Sequence, residues 1–225
     1  MLENERGIVA DKLFGVGAIK LKGLSDEDGF KLKLHSMQPD APLSPIFVNL
    51  RSIDNPKPGA LTRVFYLQIA RLLNRSIQME SLRFNFIAPV PYAADPFVNA
   101  LIMWEPKFQR LKLTKETLSD GTRRLSGAVE DIDEGTRVLV VDDLITMAES
   151  KIETIDALRK QGAVITDCLV IVDREQGGSA ALADIGVRLH SVFTVTELLS
   201  HYVASGLITT EKYAEVLDYT LENCI

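Results

Sequence analysis

The chain has 225 residues, 46% of them hydrophobic and 25% charged, with a formal net charge of −6. That length supports one domain with a full core, and the longest apolar runs are too short to span a bilayer. The acidic balance argues against non-specific nucleic-acid binding, a local basic patch aside.

The opening segment, MLENERGIVADKLF, carries early acids and no signal-peptide pattern, so the expected location is cytoplasmic. A short helical pattern runs near Ile8–Phe14, followed by the polar stretch SDEDG and the Pro-rich loop MQPDAPLSP. Ala60–Asn74 reads as a helix with Leu61, Val64, Phe65, Ile69 and Leu72 on one face. RFNFIAP reads as a strand. DPFVNALIMW begins with Asp95 as an expected N-cap and Pro96 at the first helical position. KETLSDGTRRL, from Lys115 to Leu125, is a basic polar loop that suits a mobile lid or an ordinary solvated connection.

The second half alternates more clearly. TRVLVVDD is a buried strand, and ESKIETIDALRKQG is an amphipathic helix with Ile152, Ile155 and Leu158 inward and Gly162 at its end. VITDCLVIVDR and VRLHSVF are two further strands, and TVTELLSHYVASG and TEKYAEVLDYTLEN are two closing helices. Strands alternating with helices predict an α/β fold: a central parallel sheet flanked by helices. Ligands of such folds bind beyond the carboxyl ends of the strands, where Asp142-Asp143 and Asp173-Arg174 fall. Cys168 lies in a core strand and Cys224 one residue from the end. Both read as free thiols of a reducing compartment. His35, His190 and His201 have no partner at triad or metal spacing, so none is assigned a catalytic role.

Two carboxylates at a strand end suit a ligand bearing hydroxyls, or a Mg²⁺ that keeps most of its water. Solvation of a strand terminus explains the same pair. A response-regulator-like acid pocket also fits VVDD, but the chain is too long for it and DREQGG has no place there. The helix after the acids starts near Glu149, and its unpaired N–H groups and positive dipole end welcome an anion. No glycine is present there to let a phosphate approach. Thr146 and Glu149 instead match the spacing of a capping box, which would satisfy the helix start without a ligand. Arg174, in the glycine-rich stretch DREQGG at Asp173–Gly178, is a candidate to grip a ligand carboxylate with two parallel hydrogen bonds.

Together VLVVDDLIT, ITDCLVIVDREQGG and VRLHSVFTVTELL resemble orotate phosphoribosyltransferases. SPIFVNLR at Ser44–Arg51, VPYAADP at Val90–Pro96 and KET…GTRRL match in the same order, so the resemblance spans roughly residues 8 to 205. It implies a type I phosphoribosyltransferase fold with a single domain. Residues from about 1 to 45 contribute a small hood, about 46–205 the core, and 206–225 a C-terminal helix. It also implies a homodimer that joins orotate to phosphoribosyl pyrophosphate (PRPP), with Mg²⁺, giving orotidine 5′-monophosphate and pyrophosphate in UMP biosynthesis. The transition state is oxocarbenium-like, so the protein's main work is positioning and charge stabilisation.

Carried over by position, Asp142 and Asp143 would hold the ribose hydroxyls, and Thr146, Met147, Ala148, Glu149 and Ser150 the 5′-phosphate. Arg174 would bind the orotate carboxylate and Phe47 would line its pocket. Tyr92 would sit beside the pyrophosphate loop, Lys33 would match a substrate-binding lysine, and Lys115 a catalytic residue of the lid. The resemblance assigns no metal ligand to a protein residue, and Mg²⁺ would be carried by PRPP if PRPP binds.

The resemblance departs from the family pattern at three places. Met147-Ala148-Glu149 stands where the phosphate loop carries small residues and glycine, and Pro89 where the pyrophosphate loop begins with glycine. Asp95 stands where an apolar residue is usual. The lid keeps Lys115 but has Thr114 for an arginine, Leu118 for the second lysine and Asp120 for an aromatic or histidine, while Arg123 and Arg124 lie beyond its tip. A like-charge contact at 4 Å and an effective dielectric near 20 costs roughly 4 kcal/mol, about three decades of affinity. The expectation is a weakened or lost activity. The alternative is an inactive homologue acting as a binding, regulatory or assembly subunit, with a pyrimidine-pathway protein as its partner. A third reading, a different acceptor base, is disfavoured by Arg174 and DREQGG.

Overall fold

The computed structural model describes residues 2–24, 28–32, 35, 39–55, 57–117, 123–126 and 132–223. The chain divides into two compact units, one of residues 1–63 with 195–224 and one of residues 64–194.

In the first unit, helix α1 (Leu2–Gly15) precedes a small antiparallel pair, β1 (Ile19–Leu21) and β2 (Ile46–Val48), in which Lys20 lies opposite Phe47. Alternation sends Ile19, Leu21, Ile46 and Val48 inward. Phe47 stacks on Phe30, with ring centroids 5.5 Å apart. Helices α6 (Val195–Ala204) and α7 (Thr210–Glu222) complete this unit. Tyr202 is fully buried and donates its hydroxyl to the Ala10 carbonyl at 3.0 Å, tying α6 to α1.

The second unit is built on five parallel strands in the order β4-β3-β7-β8-β9. These are β3 (Phe86–Pro89), β4 (Gln109–Arg110), β7 (Val138–Ile145), β8 (Asp167–Asp173) and β9 (Arg188–Thr194). Helices α2 (Arg63–Met79), α3 (Asp95–Trp104), α4 (Glu149–Arg159) and α5 (Gly178–Asp184) accompany them. β7 and β8 are buried along nearly their whole length, as expected of strands covered on both faces. From β3 the chain goes to β4 on one side, while β7 pairs on the other. The strand order therefore reverses between β3 and β7, and that crevice is where such sheets take ligands.

Several local expectations are corrected. α2 begins at Arg63 rather than Ala60. It buries Phe65, Tyr66, Ile69, Leu72, Leu73 and Ile77, whereas Val64 is 67% exposed. Asp95 is the first residue of α3 and not its cap, which is Ala94 with no side-chain bond. Asp95 pairs with Arg110 instead. The lid region forms a hairpin, with β5 (Thr114–Thr117) antiparallel to β6 (Arg123–Ser126) and Lys115 opposite Leu125. Leu118 and Asp120 lie outside the described residues, as do Lys33 and Cys224. Among the described residues no helix is long and apolar enough to cross a membrane.

Candidate active site

The two acids stand in the second half of β7. Asp142 and Asp143 are both buried. Asp142 Oδ1 accepts the Asp143 N–H at 2.8 Å, and Asp143 Oδ1 accepts the Leu144 N–H at 2.8 Å. Burial pushes the Asp143 carboxyl up to about 7, and the neighbouring Asp142 charge adds to the rise, while Lys151 opposes it.

Lys151 is a residue that sequence reasoning missed. It is the third residue of α4, is 5% exposed, and holds its Nζ 2.5 Å from Asp142 Oδ2. The same ammonium donates to the Leu144 carbonyl at 2.5 Å. Burial pulls its pKa down, but the Asp142 charge and hydrogen bond, joined by Asp143, carry it above the ordinary lysine value. The signal was present in the helical spacing. Lys151, Thr154, Ile155 and Leu158 form the buried face of α4, while Ile152 is only half-buried.

The turn between β7 and α4 overturns the expected capping box. α4 starts at Glu149 with Ala148 as its N-cap, and no side-chain hydrogen bond caps it. Thr146 stands two residues too early to serve. Ala148 is left-handed, with φ 63° and ψ 1°, a conformation that glycine adopts freely and alanine only at a cost of roughly 1–2 kcal/mol. The turn thus holds an alanine in a backbone conformation that glycine would adopt without strain. Ala148→Gly is expected to raise stability by about 0.5–1 kcal/mol, a relief of strain partly offset by the freer unfolded chain. In the double variant with Glu149→Gly, PRPP should raise the melting temperature more than in the parent. An equal or smaller ligand shift would show that Glu149 does not oppose phosphate.

β8 delivers the second cluster beside the first. The Arg174 N–H donates to the Ile145 carbonyl at 3.0 Å, and Arg174 and Gln176 are buried. Asp173 Oδ1 accepts the Glu175 N–H at 2.8 Å, closing the turn. Gly178, first residue of α5, lies so close to β7 that a Cβ there would stand 2.5 Å from the Thr146 carbonyl oxygen. The structure therefore brings Asp142, Asp143, Thr146–Ser150 and Arg174 to one end of the sheet. On the β3 side of the crevice, Tyr92 is exposed in the turn after Pro89. Asp95 no longer acts as a bare acid there, since Arg110 is its partner. Phe47 lies in the other unit, and of Lys115 only the backbone is described.

Two further groups lie on β8 and β9. Cys168, mid-sheet, is fully buried, and burial pushes its thiol up to about 12, which leaves it inert. His190 Nε2 lies 2.8 Å from Asp167 Oδ1 at the amino end of β8, opposite the acids. Among the described residues no group of three or more His, Cys, Asp or Glu could hold a metal ion.

No protein-family model matches the chain. The orotate phosphoribosyltransferase of Caenorhabditis elegans is 30% identical over 175 residues, which cover 78% of this chain and 73% of that protein. The chain belongs to the orotate phosphoribosyltransferase family. It is also 32% identical over 215 residues to the uridine 5′-monophosphate synthase of Bos taurus, covering 95% of this chain but 42% of that longer protein. The crystal structure of the orotate phosphoribosyltransferase from Aeropyrum pernix shares its fold, with a TM-score of 0.66 at 24% identity, covering 89% of this chain and 99% of that one. The type I phosphoribosyltransferase fold expected from the resemblance is thus borne out.

Proposed function

We propose that the chain is a weakened orotate phosphoribosyltransferase of UMP biosynthesis, which binds PRPP with its Mg²⁺ and transfers phosphoribose to orotate slowly. The observation that carries this reading is the β7–α4 turn. Its helix start has no side-chain cap, and Ala148 keeps the glycine-like conformation that lets N–H groups face a phosphate. The 5′-phosphate would lie against Thr146–Ser150, and the ribose hydroxyls against Asp143. The orotate carboxylate would meet the fork of Arg174, with Tyr92 beside the pyrophosphate. Lys115 would contribute from the lid, in a homodimer, from the neighbouring subunit.

In the reaction, the bond from C1′ to the pyrophosphate oxygen breaks and its electron pair leaves with pyrophosphate. Orotate N1 forms the new bond to C1′, and its proton leaves with the pyrophosphate. The protein's residues orient the two reactants and offer negative charge to the ribosyl group. Mg²⁺, carried on the pyrophosphate, would offset the charge of the leaving group. Asp142, already engaged by Lys151, is poorly suited to be a metal ligand.

Weakness follows from Glu149 at the phosphate position and from the reduced charge of the acid pair. One observation favours a second reading, a binding or assembly subunit without turnover: Asp142 is buried and each of its oxygens already has a partner within the chain. Titrating PRPP with Mg²⁺ while following orotate consumption separates the two. Slow but measurable formation of orotidine 5′-monophosphate supports the first reading. Binding without product supports the second, and turnover at ordinary enzyme rates removes both.

A further inference from the structure

A lysine on the buried face of a helix demands an explanation, because an unpaired ammonium out of water is costly. Lys151 finds its partners on β7. Its Nζ is 2.5 Å from Asp142 Oδ2 and 2.5 Å from the Leu144 carbonyl oxygen, with Ser150 Oγ at 3.5 Å. Asp142 itself is 3% exposed, and its other oxygen accepts the Asp143 N–H at 2.8 Å. Each carboxylate oxygen of the first acid thus has a partner inside the chain, and the group is buried besides. Asp143 remains, adjacent and with one of its oxygens on the Leu144 N–H.

We propose that Lys151 is a positioning residue. It withdraws Asp142 from ligand contact and sets the end of β7 to hold a phosphorylated ribose in its ground state rather than to stabilise a cationic ribosyl group. The inference rests on the phosphoribosyl reading above.

The argument is one of charge. A phosphorylated ribose presents neutral hydroxyls and anionic phosphates, and nearby positive charge favours it. The transition state for ribosyl transfer gathers positive charge at C1′, which two carboxylates favour and an ammonium opposes. Only interactions that differ between these two states change the rate. Lys151 cancels one of the two carboxylate charges, so it acts on binding and on the chemical step in opposite directions. A buried ion pair that merely supports the fold makes a different prediction. Its loss would strand a carboxylate, loosen the loop and slow every step.

The test uses the full chain with PRPP and Mg²⁺. Lys151→Met removes the charge at similar length, and Lys151→Gln removes it while keeping an N–H donor. Melting temperatures without ligand report whether each variant folds, and either one suffices. PRPP affinity is measured by calorimetry, and single-turnover orotate consumption is followed at saturating PRPP. The expected result is a split: PRPP binding weaker by about tenfold and the chemical step faster by about tenfold. A chemical step that is slower or unchanged overturns the inference, whatever happens to affinity. If neither parent nor variants bind PRPP, the phosphoribosyl reading falls and the inference falls with it. If the parent binds and the variants show no split, the inference alone is lost.

Discussion

Gly178→Ala is expected to destabilise the protein by about 1–3 kcal/mol and to abolish saturable PRPP binding at concentrations that saturate the parent. The added methyl would stand 2.5 Å from the Thr146 carbonyl oxygen and 2.5 Å from Ile145 Cγ1. A side-chain atom can swing aside, but the carbonyl belongs to the backbone of the β7–α4 turn, so relief requires moving that turn. The second glycine of DREQGG therefore serves the neighbouring loop rather than its own. Gly15→Ala makes a control, because a Cβ there meets nothing within 4 Å. Urea denaturation of both variants, with PRPP calorimetry on the folded fraction, checks the expectation. A Gly178→Ala variant as stable as the parent, with unaltered affinity, would rule out this close packing.

Asp143→Asn is expected to remove a pH dependence of stability on the order of 2–4 kcal/mol. The Asp143 carboxyl ionises near its ordinary 3.8 in the unfolded chain and at about 7 in the fold, raised first by burial and then by Asp142. Between those values the folded state holds a proton that the unfolded state has lost. This group's contribution to stability is therefore most favourable below about pH 4, declines as pH rises through the interval, and stays low above 7. Asparagine cannot ionise, yet it still offers an oxygen to the Leu144 N–H. Unfolding in urea at pH 5 and pH 8 should show the variant gaining on the parent as pH rises. Parallel behaviour of the two proteins would mean that Asp143 titrates as an ordinary surface acid. The same proton matters for the proposed chemistry, since only ionised Asp143 offers charge to a ribosyl cation.

Much of this site was legible before any coordinates, for reasons that are local. A buried parallel strand writes a near-continuous apolar run, so TRVLVVDD and DCLVIVDR announced themselves and placed their polar residues at strand ends. Parallel alignment then carries those ends to one edge, which is why Asp142, Asp143 and Arg174 could be grouped without knowing a distance. Family membership followed from the same stretches.

Other features depended on backbone angles or on distant partners. Nothing in the letters marks Ala148 as left-handed, and only the structure shows its positive φ. Thr146 and Glu149 have the letters of a capping box, but the helix begins later than that spacing requires. Asp95 reads as an acid intruding on an anion site, until Arg110 on β4 is found beside it.

By itself, then, the sequence determined the strand-and-helix alternation, the family, and the end of the sheet that holds the site, because periodicity and local motifs are written into consecutive residues. Tertiary structure alone decided the electrostatic character of that site. Lys151 has the helical spacing of a buried position, but only the packing of α4 on β7 shows that Asp142 meets it there. A charge can sit on a buried face only where a partner meets it, and that partner belongs to another element of the fold.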